Sequence, residues 1–446
     1  MSDPATAEKP GPHAGTPPFP APRWEIFSWC MFDFANSSFT TVIVSVVFSV
    51  YYVKRVCGGG EDGTFYWNLA QALSQTVVLL TAPLLGAIAD FSGAKKRFLC
   101  ITWLACCAFT ASLWCVTPGA IIPGLVLFLF ANIAFSVGEN LTASFLPELA
   151  RTQDLGKVSG FGWAWGYVGG LACLGLCWSR LSRGFGPENV DGLREISLIV
   201  AGFFLIAAIP TMLFLRERAV RQPLPPGESY LTIGYRQVGH TLRNLRNFRV
   251  LAFFLVVFFV YNCGIVIVVG NAGIFAAQVL DFSGKEIGLL FILLQITSAI
   301  GAFVFGYVQD KWGARKTIVL ALLLWAGVVA GCAGVHSKAA FWVLGNLAGL
   351  AIGSSQSAAR ALVGVFSPPR SSAEFFGFWG LCGKASAVVG LYSFGSLVKV
   401  TGSMRFAIGA TTSFFVLGII GMLFVDEKAG RQAAIDAEKA LASGNA

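Results

Sequence analysis

Four ionisable residues lie inside strongly apolar stretches of the chain: Asp33, Glu139, Arg360 and Lys384. Nearly all the rest of the chain's 32 basic and 23 acidic residues fall in terminal segments, polar connections or the edges of apolar runs. Asp33 and Lys384 are each about nine residues into their stretch, while Glu139 and Arg360 each precede a proline by about eight. At about 1.5 Å of helix rise per residue each charge sits about 12 to 14 Å deep, near the middle of a hydrocarbon core about 30 Å thick. A lone charge there costs at least about 2.5 to 3.5 kcal/mol, so these groups must face a protein interior and find partners. The acids precede the chain's midpoint and the bases follow it, so their charges sum to zero. Such a set can clamp a carboxylate on Arg360, with Lys384 as a second contact, meet an ammonium group with Asp33, and carry a proton on Glu139. It can equally form internal ion pairs that touch no solute.

Polar neighbours accompany the charges. Asn36, Ser37, Ser38 and Thr41 follow Asp33, Asn140 adjoins Glu139, Gln356 lies one helical turn before Arg360, and Asn262 and Asn271 mark another apolar run. An isolated amide or hydroxyl in such a setting is commonly interhelical glue; its meeting with charges points to a solute cavity.

The elements that must position these groups are membrane helices. The sequence of 446 residues is 55% hydrophobic and 12% charged, with mean hydropathy +0.69, far above a soluble domain. Twelve stretches approach 20 apolar residues, at 24–53, 64–89, 98–117, 121–147, 159–179, 196–215, 250–278, 286–309, 317–335, 339–366, 375–398 and 404–425. The expected organisation is a disordered cytoplasmic tail over 1–23, a six-helix bundle over 24–215, a basic cytoplasmic linker over 216–249, a second bundle over 250–425 and a cytoplasmic tail over 426–446. Connections after even-numbered stretches carry 16 Lys and Arg against 9 in the others, which predicts both termini in the cytoplasm. That distribution accounts for the +9 charge without nucleic acid. No cleavable signal peptide is expected, because residues 1–23 contain no apolar core.

The two halves repeat. Gly86-Ala87-Ile88-Ala89-Asp90-Phe91-Ser92-Gly93-Ala94-Lys95-Lys96 returns in the second half as Gly306-Tyr307-Val308-Gln309-Asp310-Lys311-Trp312-Gly313-Ala314-Arg315-Lys316, each copy closing the second stretch of its half. The same offset pairs Gln75 with Gln295, and Gly160-Phe161 returns at nearly that offset as Gly377-Phe378. In this pattern Gly86 and Gly306 permit close helix packing, and Gly93 and Gly313 permit a tight turn. Asp90 and Asp310 can accept from a facing helix N-terminus or an Arg, and the basic residues Lys95, Lys96, Arg315 and Lys316 can reach headgroups. The pattern resembles the loop signature of the major facilitator superfamily. Its functional reading is a cytoplasmic latch between the halves; the plainer one is a tight turn with snorkelling bases.

Further segments resemble one branch of that superfamily, the vacuole-effluxer or unknown-major-facilitator family. They are Phe32-Asp33-Phe34-Ala35-Asn36-Ser37-Ser38-Phe39, Ser159-Gly160-Phe161-Gly162-Trp163-Ala164-Trp165-Gly166-Tyr167-Val168-Gly169-Gly170, Gln356-Ser357-Ala358-Ala359-Arg360-Ala361, Glu374-Phe375-Phe376-Gly377-Phe378 and Gly383-Lys384. The resemblance spans about residues 24 to 427. It implies an all-α membrane protein of two pseudo-symmetric six-helix bundles, with stretches one, four, seven and ten lining a central cavity. It also implies a proton-linked or facilitative transporter, and the family's fungal members are associated with amino-acid export from the vacuole. Many relatives carry an acid where this chain has Cys263, so any proton coupling here falls to Asp33 or Glu139.

The leading expectation is therefore a multi-pass inner-membrane transporter of an amino-acid-like zwitterion, working as a monomer by alternating access with protons as a coupling ion. A sugar or organic-anion transporter, or a non-transporting receptor or scaffold, is the alternative. An enzyme is not expected. His13, His240 and His336 fall in tails or connections, and there is neither a nucleophile elbow nor a phosphate-binding loop. The eleven cysteines form no C-x-x-C pair and most sit in apolar runs, so no metal or cofactor is expected. Asn140-Leu141-Thr142 matches a glycosylation pattern but lies inside an apolar stretch.

Overall fold

The computed structural model describes residues 21–150, 155–218, 229–245, 248–367 and 372–442. Long helices follow one another and are numbered in chain order. Helices 1 to 6 are Arg23–Val56, Gly60–Ser92, Lys95–Cys115, Ile121–Ser144, Leu155–Leu181 and Pro187–Phe214. Helices 7 to 12 are Arg249–Val279, Gly284–Trp312, Ala314–Gly334, Lys338–Phe366, Ser372–Thr401 and Met404–Leu423. Among the described residues nine of them are long and apolar enough to cross a membrane. Helices 2, 5 and 10 stand where the second, fifth and tenth stretches were expected. Their faces are more polar or richer in small residues: Thr64, Asn68, Gln71 and Gln75 in helix 2, glycines in helix 5, Gly353, Ser354 and Ser355 in helix 10.

Local chemistry sets the ends. Gly93 (φ 58°) stops helix 2 and Gly313 (φ 86°) stops helix 8, both in the left-handed region that favours glycine. Ser283 and Glu286 form a reciprocal capping box at the start of helix 8, with Ser283 N–H donating to Glu286 at 2.7 Å and Glu286 N–H to Ser283 Oγ at 3.2 Å. Helix 1 is not uniform: Phe39–Val46 and Tyr52–Val56 are wound as π-helix, with Val47 N–H reaching Val42 O at 2.8 Å. Such widened turns concentrate at functional positions.

Helix 1 packs along helix 5, and helix 7 along helices 11 and 12. Between the halves, helix 2 packs on helix 11 and helix 8 on helix 5. The bundle thus has an end where helix 1 starts, the Arg23 end, and one where helix 1 meets helix 2, the Gly60 end.

Three segments differ from the expected organisation. Residues 1–20 of the expected tail lie outside the described residues, but Ala21 is buried and its N–H donates to Leu149 O at 3.1 Å, and helix 1 already begins at Arg23. The linker contains a helix, Tyr230–Leu245, whose Tyr235 hydroxyl donates to Leu80 O on helix 2 at 2.6 Å. The C-terminal tail contains the helix Glu427–Ala442, docked with Gly430 against the Phe366 ring and Ala434 buried. Both helices alternate apolar and charged residues at helical spacing, too short a pattern to read as a membrane span.

Candidate functional site

The charged residues meet across the halves. Lys384 on helix 11 donates to Glu139 on helix 4 at 2.8 Å, with the lysine side chain 20% and the carboxylate 40% exposed. Arg360 on helix 10 interacts electrostatically with Asp33 on helix 1, which in turn feels Glu139. Two acids of the first half thus face two bases of the second, and the arrangement keeps the buried charge balanced.

Sequence reasoning missed the aromatic surroundings of Arg360. Its guanidinium lies 5.6 Å from the Trp163 ring centre and 5.7 Å from that of Trp379, within cation–π range. Trp163 is 49% exposed, and Tyr167 follows it one turn along helix 5, near enough to Arg360 for their titrations to be linked. A signal for Tyr167 was available: it stands at the same offset from Lys384 as Gly160 does from Gly377, so the repeat pairs it with a central charge.

Helix 5 can bring its aromatics here because its glycines let helix 1 approach. A β-carbon at Gly162 would strike the Asp33 carboxylate, and one at Gly166 would lie 2.7 Å from Ser37 Oγ. One at Gly169 would strike the Phe34 carbonyl, and one at Gly170 would lie 2.6 Å from Thr41 Oγ1. The Asp33 segment and the glycine-rich segment are therefore two sides of one helix contact.

The other expected residues divide. Asn36 is buried one turn along helix 1 from Asp33, and its Oδ1 accepts no hydrogen bond among the described residues. Gln356 is half-buried a turn from Arg360. Asn262 is taken up in packing: its Nδ2 donates to Ser386 Oγ at 2.6 Å, joining helices 7 and 11. Asn140 is exposed, and its side chain makes no hydrogen bond among the described residues. Cys263 is buried with its Sγ donating to Phe259 O at 3.2 Å, and its backbone lies against Gly390 of helix 11.

In the loop motif, Gly86, Asp90, Gly306 and Asp310 lie at positions whose side chains are outside the described residues. The contacts described for its bases stay within their own half. Lys95 pairs with Glu148 at 3.2 Å, Lys96 donates to Leu215 O at 2.6 Å, and Arg315 donates to Met422 O at 3.0 Å and Leu423 O at 2.5 Å. Lys316 is exposed. The helix N-termini after each motif are capped from further along the chain: Lys95 and Lys96 N–H donate to Glu217, and Ala314 and Arg315 N–H to Glu427. The recurrence of an acid just beyond the last helix of each half was the sequence signal for these caps.

The family model described as "Vacuole effluxer Atg22 like" matches residues 58–435. The chain belongs to the Atg22-like vacuole effluxer family. It is similar to the MFS-type transporter YxiO of Bacillus subtilis (strain 168), itself uncharacterized, at 23% identity over 90% of this chain and 94% of the relative. It is similar to autophagy-related protein 22-1 of Aspergillus niger at 26% identity over 69% of this chain, and spans about half, 53%, of that fungal relative. Among solved structures, a mutant form of the nucleoside transporter NupG superposes with a TM-score of 0.67 at 14% identity, covering 90% of this chain and 98% of that one. The fold is that of the major facilitator superfamily, all-α and built as a multi-pass membrane protein, and family and fold are those of transporters.

Proposed function

We propose that this Atg22-like chain is a secondary transporter that carries an amino acid or similar zwitterion by alternating access between its two six-helix halves. The observation that carries the reading is the meeting of Asp33 and Glu139 with Arg360 and Lys384 across the halves. A zwitterion can replace such a pairing like for like: its carboxylate takes the Arg360 guanidinium and its ammonium group takes Asp33. Lys384 is a second carboxylate contact, Asn36 and Gln356 line the same region, and Glu139 exchanges the coupling proton when its bond to Lys384 breaks. The family's description as vacuole effluxers supports the transporter part of the reading. The excess of Lys and Arg in one set of connections supports a cytoplasmic Arg23 end in the bacterial-type inner membrane, and nothing in the proposal requires more than a monomer.

One observation favours a different solute. The Trp163 indole is half-exposed beside Arg360 and offers a stacking face for a sugar ring.

Thermal-shift measurements on purified wild type and Arg360→Ala, against amino acids, sugars and organic acids at two pH values, decide between them. An amino acid should raise the wild-type Tm and leave Arg360→Ala unmoved, and the same compound should then be taken up by proteoliposomes. Stabilisation by a sugar or an organic acid alone rules out the zwitterion site, and no response to any compound points to a receptor or scaffold.

A further inference from the structure

Away from the charged site the halves are joined by neutral amides. Asn68 of helix 2 and Asn271 of helix 7 are each 0% exposed and bond reciprocally: Asn68 Nδ2 donates to Asn271 Oδ1 at 2.8 Å, and Asn271 Nδ2 to Asn68 Oδ1 at 3.0 Å. The second N–H of each amide is held by its own helix, donating to Thr64 O at 2.9 Å and Ile267 O at 2.9 Å. Both amides are thereby pre-oriented, and no N–H is left over for a solute. Each lies about two turns inside the Gly60 end of its helix.

The surrounding contacts close the same end. A β-carbon at Gly273 would strike the Ser45 carbonyl, and one at Gly395 would lie 2.9 Å from Asn68 Cβ. Thr64 donates to Gln278 at 3.2 Å one turn outward, and the ion pairs Asp62–Lys399 (3.5 Å) and Lys54–Asp281 (3.9 Å) form the rim. Helices 1, 2, 7 and 11 therefore converge on the amide pair.

We propose that the Asn68–Asn271 clasp is the gate that seals the Gly60 end, and that it opens by exchanging its two interhelical hydrogen bonds for water. The chemistry suits a seal that must break in every cycle. An apolar seal would expose apolar surface on opening, and a fully buried ion pair would have to be stripped of water each time the gate closed. Amides trade one set of hydrogen bonds for an equivalent set with water. The proposal rests on alternating access and is independent of the solute, so a failed zwitterion assignment leaves it standing.

Hydrogen–deuterium exchange on the full chain in lipid nanodiscs tests it, comparing residues 60–68 and 271–279 with residues 23–38. In Asn68→Leu with Asn271→Leu the apolar contact should hold the gate shut, slowing exchange in the first two segments at least tenfold. In Asn68→Asp with Asn271→Asp the facing carboxylates should hold it open, speeding exchange there at least tenfold. Residues 23–38, at the opposite end, should respond in the opposite sense in each variant, as alternating access requires. Unchanged exchange at the Gly60 end in both variants, or a rise at 23–38 in parallel with it, overturns the proposal. Should a double variant not fold, Asn68→Cys with Asn271→Cys decides: an oxidised crosslink, located by mass spectrometry against the wild-type cysteine background, should slow exchange as the leucines would. Failure to crosslink, or a crosslink that leaves exchange unchanged, rejects the gate.

Discussion

The two halves meet each other through matched pairs of positions and fill them in opposite ways. Where helix 2 meets helix 11, a full side chain, Asn68, stands against Gly395; where helix 8 meets helix 5, Gly288 stands against Trp178, with a β-carbon at either glycine 2.9 Å from its neighbour. Asn68 and Gly288 stand at the offset that relates Gly86 to Gly306, and Trp178 and Gly395 at the one that relates Gly160 to Gly377. Duplication thus preserved the pairing of one small and one large residue while exchanging which helix carries which. What differs is chemistry: one contact places an amide where it reaches helix 7, and the other places an indole against Gly288 and Leu181. The first can exchange its hydrogen bonds for water, while the second is an apolar contact with none to exchange.

The largest expected effect comes from a related inequality, between the helix 1–helix 5 contact and its counterpart, helix 7–helix 11. Gly169 lies directly on the Phe34 carbonyl, while the matched position on helix 11 is Ser386, which accepts from Asn262. Backbone cannot swing aside, so Gly169→Ala should cost about 3 kcal/mol by forcing the helices apart. Ser386→Ala removes the bond accepted from Asn262 and the one donated to Gly383 O, and should cost about 1 to 2 kcal/mol. Reversible denaturant titration of the two variants checks the ordering. Equal losses would show that helix 5 has room to shift and that its glycines do not set the position of Trp163 and Tyr167.

An intermediate effect is expected at the Gly288 contact. Gly288→Leu drives a branched side chain into Trp178 and Leu181, both side chains that can rotate, so a loss of about 1 to 2 kcal/mol is expected. Shrinking the partner should compensate: Gly288→Leu with Trp178→Leu should recover at least half of the loss, read as Tm. Two purely additive losses would mean that the pair does not share one space.

Much of this was legible in the sequence because it follows from solvent. The apolar runs, the repeat offsets and the four central charges are each forced by the bilayer, and the pairing of two acids with two bases was foreseeable from charge balance alone. The aromatic flanks of Arg360 were not, because Trp163 and Trp379 sit in runs already rich in aromatics and only their convergence on Arg360 of helix 10 distinguishes them. Asn262 illustrates the converse limit. Its type and depth fit a cavity, but the Ser386 hydroxyl opposite, far along the chain, claims its amide for packing. The caps escaped notice for another reason: the acid recurring beyond the last helix of each half was their one signal, and Glu217 and Glu427 lie in polar segments where an acid does not stand out.

Those caps supply the smallest and sharpest comparison. Each carboxylate accepts from the first N–H groups of the helix that follows a loop motif, where the helix dipole favours negative charge. In the first half the surroundings add further bonds: buried Glu25 is held by the Arg218 guanidinium at 2.7 and 2.8 Å and by Arg216 N–H at 3.0 Å, and Glu148 accepts from Arg218 N–H at 3.0 Å. The Glu25 carboxylate accordingly holds the Arg218 guanidinium above its ordinary pKa. In the second half Glu427 is joined instead by the docked terminal helix it begins. Glu217→Gln and Glu427→Gln keep an acceptor but remove the charge, so each should cost only about 0.5 to 1 kcal/mol. The readouts should nonetheless diverge. Loss of Glu217 leaves its neighbours tied by the Glu25–Arg218 network, so local exchange at residues 95–98 should rise modestly. Loss of Glu427 unpins the first turn of the terminal helix, so protease cleavage within residues 427–442 should accelerate several-fold while the rest of the chain is unaffected. If both variants loosen only their capped helix N-termini, Glu427 acts as a cap alone and the terminal helix docks through its own apolar face.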